Sequence, residues 1–383
     1  MPWKERTPVS ERGEFVEFAG REAVNLSALA RQYGISRKTG YKWLRRVRAH
    51  GLEGLRDRSR RPYLSPTRTP EDVEALVCAL RAQHPAWGGR KLHHALRHEG
   101  VPRVPAPSTI TGILDRHGLL SPEGRRPHAW QRFEEARPNA LWQMDFKGHF
   151  PTDHGRCHPF TVLDDHSRFN ICLTACPDER AETVRGELRG AFQRFGLPER
   201  MLMDNGAPWG SEAAHPHTKL TAWLIRHGVT VVHGRPYHPQ TQGKEERFHR
   251  TLALEVLATR PYWPSLREVQ HAFDGWRAVY NLRRPHEALG HAPPATRYQP
   301  SPRPFPTKLP AIEYAPGDEV RKVQAKGRIS FRGREWLVSR AFIGEPVALR
   351  PTGDGLWEVY YCHQRVSTLD LTDRSVTHVP AQV

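Results

Sequence analysis

Long apolar segments are missing from this 383-residue sequence. No stretch reaches the ~18 consecutive apolar residues that a membrane-spanning helix needs. The first residues, MPWKERTPVSERGEF, carry charges where a secretory signal would place its apolar core. We therefore expect a cytoplasmic protein without a membrane partner.

Cysteine is also scarce. The five cysteines are odd in number and scattered along the chain, at Cys78, Cys157, Cys172, Cys176 and Cys362. This usage argues against a disulfide framework. Because no paired Cys-x-x-Cys spacing is present, we interpret Cys157, Cys172 and Cys176 as small core residues rather than zinc ligands.

Acidic residues are few relative to basic ones. The 41 Asp and Glu face 58 Lys and Arg, which gives a formal net charge of +17. A charge of this size creates a positive field that attracts polyanions. Nucleic acid is therefore the predicted partner. The length is sufficient for several domains.

Residues 1–62 are predicted to form a helix–turn–helix domain. The first helix is indicated by apolar residues at helical spacing, namely Leu26, Leu29, Ala30 and Tyr33. Gly34 breaks this helix, and Ser36 can cap a second one with Tyr41, Leu44 and Val47 on its apolar face. Side chains at the start of such a helix reach base edges in the major groove. The candidate DNA-binding residues are Ser36, Arg37, Lys38, Thr39, Lys42, Arg45, Arg46, Arg60 and Arg61.

Residues 63–128 repeat this pattern with less charge. Two helices lead through VPRVPAP to Ser108 and Thr109, which can cap a third helix that ends near Gly118. We interpret this region as a second helix–turn–helix-like helical domain, with Ser108 and Thr109 as candidate DNA-binding residues. A structural spacer is the alternative.

Residues 136–298 have the pattern of a mixed α/β domain. Two β-rich segments, ALWQMDFKGHF and HPFTVLDDHSRFNICLTAC, precede alternating helices and short strands. This order predicts one sheet with helices on its faces. Residues 299–312 hold several prolines and predict a semi-rigid linker, and the short strands in 313–383 predict a small β-barrel.

Three acids of the α/β domain each lie where a strand or helix meets a turn. Asp145 follows Trp-Gln-Met, Asp204 precedes Asn-Gly, and Glu246 begins a basic helix. Unpaired carboxylates repel one another, so a shared site for them needs a cation. Carboxylate oxygens suit Mg²⁺ or Mn²⁺, and two such ions support in-line phosphoryl transfer. Basic or polar neighbours that would contact DNA are Asn205, Lys244, Arg247, His249 and Arg250.

The blocks WQMD, MDNG and HPQTQGKEERFHRTL resemble the three signature blocks of the DDE integrase core. Bacterial insertion-sequence transposases and retroviral integrases share this core. The segment VYNLRRPHEALGHAPPATRY resembles the end of the core in insertion-sequence transposases. The resemblance implies a ribonuclease H-like fold for 136–298, with Asp145, Asp204 and Glu246 as the catalytic, metal-binding acids and two Mg²⁺ (or Mn²⁺) ions per site.

The sequence departs from the family pattern in two places, and one neighbouring residue competes with Glu246 for the role of the third acid. The 41 residues between Asp204 and Glu246 exceed the family's common spacing, and no His-His-Cys-Cys zinc domain precedes the core, so the bacterial branch is the better match. Helical periodicity does not choose between Glu246 and its neighbour Glu245; the family spacing favours Glu246. Asp164 and Asp165 are further candidates, interpreted as structural.

The resemblance implies a DNA transposase that binds the terminal inverted repeats of its element. It would cleave at the transposon ends and join the 3′ hydroxyl ends to target DNA. Work on two DNA ends implies a homodimer or a higher homo-oligomer, associated with the bacterial nucleoid. A catalytically inactive helix–turn–helix regulator and a metal-dependent nuclease without joining activity are the alternatives.

Overall fold

The computed structural model describes residues 7–58, 68–120, 134–210, 216–234, 243–372 and 379–380. The chain divides into two compact units, Met1–Arg68 and Thr69–Val383. Within the described ranges, no helix is both long enough and apolar enough to cross a bilayer. The finer domain boundaries stay predictions.

The first unit is built from three helices. They are α1 (Pro8–Ala19), α2 (Leu26–Gln32) and α3 (Arg37–His50), and a 3₁₀ turn over Gly51–Leu55 follows. Thr7, Asn25 and Ser36 cap them, each with a side-chain oxygen that accepts from a backbone N–H of the first turn. The predicted pair α2–α3 is thus present, whereas the sequence reasoning did not predict α1.

The buried face of α3 differs from the predicted one. Tyr41, which was expected to face inward, is 53% exposed, whereas Trp43 is 6% exposed. The reason is α1, which packs against α3 and brings the ring of Phe15 over Gly40. A Cβ atom at position 40 would lie 2.7 Å from Phe15 Cζ, so the two helices approach closely because this residue is glycine.

Gly40→Ala is therefore expected to destabilise the first unit by about 1–3 kcal/mol, since the added methyl group overpacks the core. Hydrogen exchange of the α3 amides in the full-length chain measures this loss. Gly13→Ala is the matched control, because its Cβ would meet only Leu55 Cδ1 at an ordinary 3.7 Å. Equal exchange in the two variants would contradict the close approach.

The second unit begins with three further helices. They are α4 (Glu71–Gln83), α5 (Gly89–His98) and α6 (Pro107–Arg116). Their shared core contains Val77, Leu92, Leu96, Ile110, Ile113 and Leu114. The buried Glu74 of α4 accepts a hydrogen bond of 2.7 Å from Arg116, which ties α4 to the end of α6.

A mixed sheet forms the centre of the second unit. Its strands are β1 (Leu141–Phe146), β2 (Phe150–Thr152), β3 (Gly155–Asp164), β4 (Asn170–Cys176), β5 (Arg200–Met203) and β6 (Thr230–His233). The order is β2-β3-β1-β5-β6, and β4 also pairs with β3. β1 is antiparallel to β3 but parallel to β5, and β5 is parallel to β6.

Helices cover both faces of this sheet. They are α7 (Ala181–Phe195), α8 (Lys219–Arg226), α9 (Gly243–Glu255) and α10 (Leu266–Leu282). Phe160 and Val162 of β3 pack with residues of α7 and α8, whereas Leu163 packs with residues of α9 and α10. Cys172 and Cys176 belong to the first of these cores and Cys157 to the second, so the three thiols do not converge.

The three N-terminal helices of this unit are attached to α10 and the segment after it. Arg283 pairs with Glu99 at 2.9 Å, and Arg90 pairs with Glu287 at 3.1 Å. The ring of His94 stacks on that of His291, with the centroids 4.0 Å apart. These contacts favour the alternative in which this helical domain is a structural spacer. They leave the first turn of α6 exposed to solvent.

The predicted β-rich C-terminal module is present, but its described strands do not close into a barrel. Five strands form one antiparallel sheet, in the order β13 (Val379–Pro380), β12 (Gln364–Asp370), β11 (Leu356–Tyr361), β10 (Pro346–Gly353) and β7 (Glu319–Lys322). β8 (Arg328–Phe331) and β9 (Arg334–Leu337) pair only with each other. The cause is a 3₁₀ turn over Ala325–Gly327, where Lys326 and Gly327 have positive φ and divert the chain out of the first sheet.

Candidate active site

Asp145 and Asp204 lie at the same edge of the central sheet. Strand β1 runs parallel to β5, with Trp142 paired to Met201 and Gln143 to Leu202. This register, continued by two residues, places Asp145 beside Asp204. The carboxyl ends of adjacent parallel strands are a common place for a site in α/β folds.

The charge environment of Asp145 shows which acids lie around it. Burial raises the pKa of Asp145 to about 7, and the negative charges of Asp204, Glu179 and Glu246 add to the rise. The backbone N–H of Phe146 donates to Asp145 and opposes the shift only in part. The charges of the other two predicted acids, and that of Glu179, therefore act on Asp145.

Asp204 is oriented by the turn in which it lies. Its Oδ1 accepts a hydrogen bond of 3.0 Å from the N–H of Gly206, and another from the indole N–H of Trp209. The Trp209 ring is buried and stacks on Phe146, the last residue of β1. Asn205, a candidate DNA contact, donates instead to the carbonyl of Gly234 at 2.9 Å, which ties this turn to the end of β6.

The neighbours Glu245 and Glu246 occupy different environments on α9. Glu245 is fully buried, accepts a 3.0 Å hydrogen bond from Thr161 Oγ1, and has a pKa well above its ordinary value, chiefly because of burial. Glu246 is exposed. Only Glu246 thus combines solvent access with a charge that acts on Asp145.

His249, predicted from the sequence to hold the phosphate backbone, lies beside Asp145 and is half-buried. Its Nδ1 lies 3.9 Å from Asp145 Oδ2, and its Nε2 lies 2.8 Å from Thr161 Oγ1. Burial, with a contribution from the charge of Lys147, lowers its pKa to about 3. The neutral ring therefore fills the space between α9 and β1 without neutralising the acids.

The basic candidates on α9 separate into two groups. Arg247 and Arg250 are exposed on the outer side of the helix, where they can meet a phosphate backbone. Lys244 instead bonds through Nζ to the buried carboxylate of Asp165. Asp164 and Asp165 both have their oxygens engaged by groups of the fold, including Ser167 and Asn139 for Asp164.

The carboxylates of Asp145, Asp204 and Glu246 are chemically suited to bind divalent metal ions. Carboxylate oxygens whose charges repel one another are ligands that Mg²⁺ and Mn²⁺ prefer. Among the residues that the structure describes, no three His, Cys, Asp or Glu side chains are yet arranged closely enough to surround one ion. Asp145, Asp204 and Glu246 are the residues that would hold the ions.

The outer face of α3 carries most of the candidate DNA contacts of the first unit. Ser36 Oγ accepts from the N–H of Thr39 at 3.1 Å, which confirms the predicted cap. The exposed members of the predicted set are Ser36, Arg37, Lys38, Lys42 and Arg45, whereas Thr39 and Arg46 are half-buried. Arg60 and Arg61 lie outside the described residues. Tyr41 is an exposed aromatic residue among these charges that the sequence reasoning had placed in the core.

Ser108 and Thr109 lie in the first turn of α6, and both are exposed. Neither caps the helix, because α6 begins before both of them, at Pro107, with Ala106 at the cap position. Their side chains are open to a ligand in the described structure.

Family models match every part of this architecture. Residues 135–239 and 227–294 match integrase core domains, and residues 318–377 match the C-terminal domain of IS481 family transposases. A helix–turn–helix domain matches residues 11–63, and a homeodomain-like domain matches residues 39–114. The chain therefore carries an integrase core domain. The predicted resemblance to insertion-sequence transposases is confirmed, as is the fold class apart from barrel closure.

Similar whole chains are insertion-sequence proteins. A putative transposase for insertion sequence element IS5376 of Geobacillus stearothermophilus is 22% identical over 94% of this chain and 88% of its own length. An uncharacterized 39.2 kDa protein of insertion element IS476 from Xanthomonas euvesicatoria is 27% identical over 65% of this chain and 70% of its own. Among solved structures, the simian T-cell lymphotropic virus intasome aligns with 76% of this chain and 97% of its own, at 17% identity and a TM-score of 0.37.

Proposed function

We propose that this protein is a DNA transposase that binds the terminal inverted repeats of its element, cleaves at the ends and joins the 3′ hydroxyl ends to target DNA. The observation that carries this proposal is the position of Asp145 and Asp204 side by side at the carboxyl ends of β1 and β5. Asp145 and Asp204 are aligned there by strand register, and the charge of Glu246 reaches Asp145. Integrase core matches over residues 135–239 and 227–294 support it.

Asp145, Asp204 and Glu246 would hold two Mg²⁺ or Mn²⁺ ions. Bound ions of this kind activate the attacking oxygen and stabilise the leaving oxygen of an in-line phosphoryl transfer. The chain contributes the placement of the acids, since the register of β1 and β5 fixes two of them and α9 brings the third. Trp209 and Gly206 hold the Asp204 carboxylate in one orientation before DNA arrives.

Arg247 and Arg250 would bind phosphates of the DNA strand on the exposed side of α9.

The reaction has two steps. In the first step a water oxygen bonds to phosphorus, and the 3′ oxygen leaves as a hydroxyl. In the second step that hydroxyl attacks a target phosphodiester, whose own 3′ oxygen leaves. One phosphodiester bond forms as one breaks, so joining needs no external energy source and no covalent enzyme intermediate.

Recognition of the transposon ends is assigned to residues 1–120. Side chains at the start of α3 would read base edges, and the exposed arginines and lysines farther along it would contact phosphates. Two DNA ends must be processed together, so we infer at least a homodimer on DNA. Chromosomal DNA as substrate would place the protein at the bacterial nucleoid.

The test uses the purified full chain, Mg²⁺, a labelled duplex with the inverted repeat from the flank of its own gene, and a supercoiled target plasmid. The wild type is expected to nick the duplex at the repeat end and to join it to the plasmid. Asp204→Asn should lose both steps and retain DNA binding. Glu182→Gln, which changes an exposed acid of α7, is the matched control and should keep both.

The other outcomes separate the alternatives. Cleavage of the end without joining to the plasmid would show a nuclease. Tight binding of the repeat without cleavage in Mg²⁺ or Mn²⁺ would show a DNA-binding regulator. Either result would overturn the proposed transposase activity.

A further inference from the structure

Asp165 is a buried carboxylate that makes several hydrogen bonds in the turn after β3. Its side chain is 0% exposed. One oxygen accepts a 2.8 Å bond from the backbone N–H of Glu135, and the other accepts a 2.6 Å bond from Gln143 Nε2. The second oxygen also accepts from Lys244 Nζ. A buried charge of this kind is tolerated because it is paired and hydrogen-bonded.

The partners of Asp165 belong to the two elements that carry catalytic candidates. Gln143 lies on β1, two residues before Asp145, and Lys244 lies in the first turn of α9, two residues before Glu246. The backbone N–H of Asp165 also donates to Leu141 O on β1 at 2.9 Å. One side chain therefore joins the start of α9 to the strand that carries Asp145.

The position of Glu246 depends on this first turn. Further along α9, Phe248 and Leu252 pack into the core on this face of the sheet. The amino end of the helix has fewer apolar contacts, since Gly243, Lys244 and Glu246 contribute no apolar side chain to the core. Polar contacts must therefore fix the end of the helix that carries the third acid.

Lys244 was predicted from the sequence to contact DNA. Its side chain is 18% exposed, and its ammonium group donates a hydrogen bond to the Asp165 carboxylate. A phosphate contact would require this bond to break and would remove from the buried Asp165 the cation that hydrogen-bonds to it, leaving only the charge of Arg168 nearby, which is costly. The contacts thus favour a role inside the protein.

We propose that Asp165 and Lys244 are positioning residues for the reaction. Their ion pair holds the first turn of α9 against β1 and thereby sets Glu246 opposite Asp145. This inference rests on the proposed transposase activity for its kinetic consequence, but not for its structural one. Neither residue is assigned contact with the metal ions or with the reacting atoms.

The kinetic test compares Asp165→Asn, Lys244→Met and the double variant in single-turnover cleavage of the labelled repeat duplex. Each single variant is expected to cleave about 10–100-fold more slowly, as is usual when a group that orients a metal ligand is lost. The double variant should be no slower than the slower single variant, because the two residues act as one unit. Lys244→Arg should recover part of the rate, since it keeps the charge.

DNA affinity separates this role from a phosphate contact. The affinity of both single variants, and its salt dependence, should stay within about twofold of the wild type. A lysine that binds phosphate behaves differently: its loss weakens binding and lowers the salt slope by about 1. Weaker binding by Lys244→Met together with full activity of Asp165→Asn would overturn the proposal. Lys219→Met, which removes an exposed lysine from the first turn of α8, is the matched control.

Hydrogen exchange of the DNA-free full chain gives a readout that does not depend on activity. The amides of the first turns of α9 should exchange faster in Asp165→Asn and Lys244→Met than in the wild type, while those of α7 stay protected and show that the fold is intact. Lys244→Gln, which can still hydrogen-bond to Asp165, covers the case in which the methionine variant does not fold. Unchanged protection of α9 would refute the positioning role even if cleavage were slow. An inactive wild type with fast α9 exchange in the variants would refute only the transposase activity.

Discussion

Glu246→Gln is expected to lower the rate of DNA end cleavage about a thousandfold or more, whereas Glu245→Gln stays within about tenfold of the wild type. The two residues are adjacent on α9 and both interact with the charge of Asp145, but only the Glu246 carboxylate is open to solvent. Glutamine has the size of glutamate and lacks the negative charge that a divalent ion requires. The loss at position 246 therefore isolates the role of the charge.

Glu245 is enclosed by the protein and cannot reach a DNA strand without unfolding the start of α9. Its contact with Thr161 Oγ1 at 3.0 Å can be kept by the amide oxygen of glutamine. We expect Glu245→Gln to cleave within about tenfold of the wild type, a cost that reflects repacking. The Glu245 variant is thus the matched control for Glu246.

Single-turnover cleavage of the labelled repeat duplex in Mg²⁺ measures both rates, and a binding assay on the same duplex checks that each variant still binds. Full activity of Glu246→Gln, or a larger loss in Glu245→Gln, would assign the third acid to position 245. Equal and total loss in both variants would indicate that the start of α9 had been disrupted, and α9 hydrogen exchange would then show it.

The elements whose patterns are local were predictable from the sequence. The strand-ending Asp145 and Asp204, the capped start of α3 and the alternation of helices and strands all depend on neighbours within a few residues. The strand register adds what local patterns cannot supply: it places Asp145 and Asp204 side by side although 58 residues separate them.

Contacts between distant residues account for what the sequence did not predict. The choice between Glu245 and Glu246 depends on Thr161, which lies on a strand far from α9 in the sequence. Lys244 looks like a DNA ligand until Asp165, 79 residues away, is placed beside it. Tyr41 was placed in the core because the periodicity of α3 does not reveal that α1 covers the neighbouring face.

The C-terminal module shows a similar limit. Short strands with Gly-containing turns fit a barrel and an open sheet equally well, because both alternate buried and exposed residues. The turn at Lys326 and Gly327, with φ of 63° and 77°, decides the outcome by separating β8 from β7. Only the glycine is visible as a turn signal in the sequence.

The second large expected effect is on stability. Glu255→Gln should lower the free energy of unfolding by about 3–5 kcal/mol at pH 7, because it leaves the buried Arg284 without its counter-charge. Glu255 ends α9 and accepts 3.0 Å bonds from Arg284 Nε and from Trp276 Nε1. Both ionic side chains are 8% exposed, so little solvent screens the pair.

The effect should depend on pH with a definite sign. Burial alone would raise the pKa of Glu255, but the charge and hydrogen bonds of Arg284, with help from Lys91 and Trp276, outweigh it and lower the pKa below its ordinary 4.5. A carboxyl whose pKa is depressed by folding contributes stability that is complete above the unfolded pKa and disappears as the pH falls through the folded pKa. The difference between wild type and Glu255→Gln should therefore be constant from pH 7 to about pH 5 and should shrink below about pH 4.5.

Urea titrations of the full chain at several pH values measure this difference. Glu268→Gln is the matched control, since that acid is 52% exposed and meets Arg260 only at 3.9 Å. Glu268→Gln should lower the free energy of unfolding by less than about 1 kcal/mol at every pH. If the difference in unfolding free energy between wild type and Glu255→Gln stayed constant or grew below about pH 4.5, Arg284 would not stabilise the Glu255 carboxylate. The contact between α9 and α10 would then rest mainly on apolar side chains.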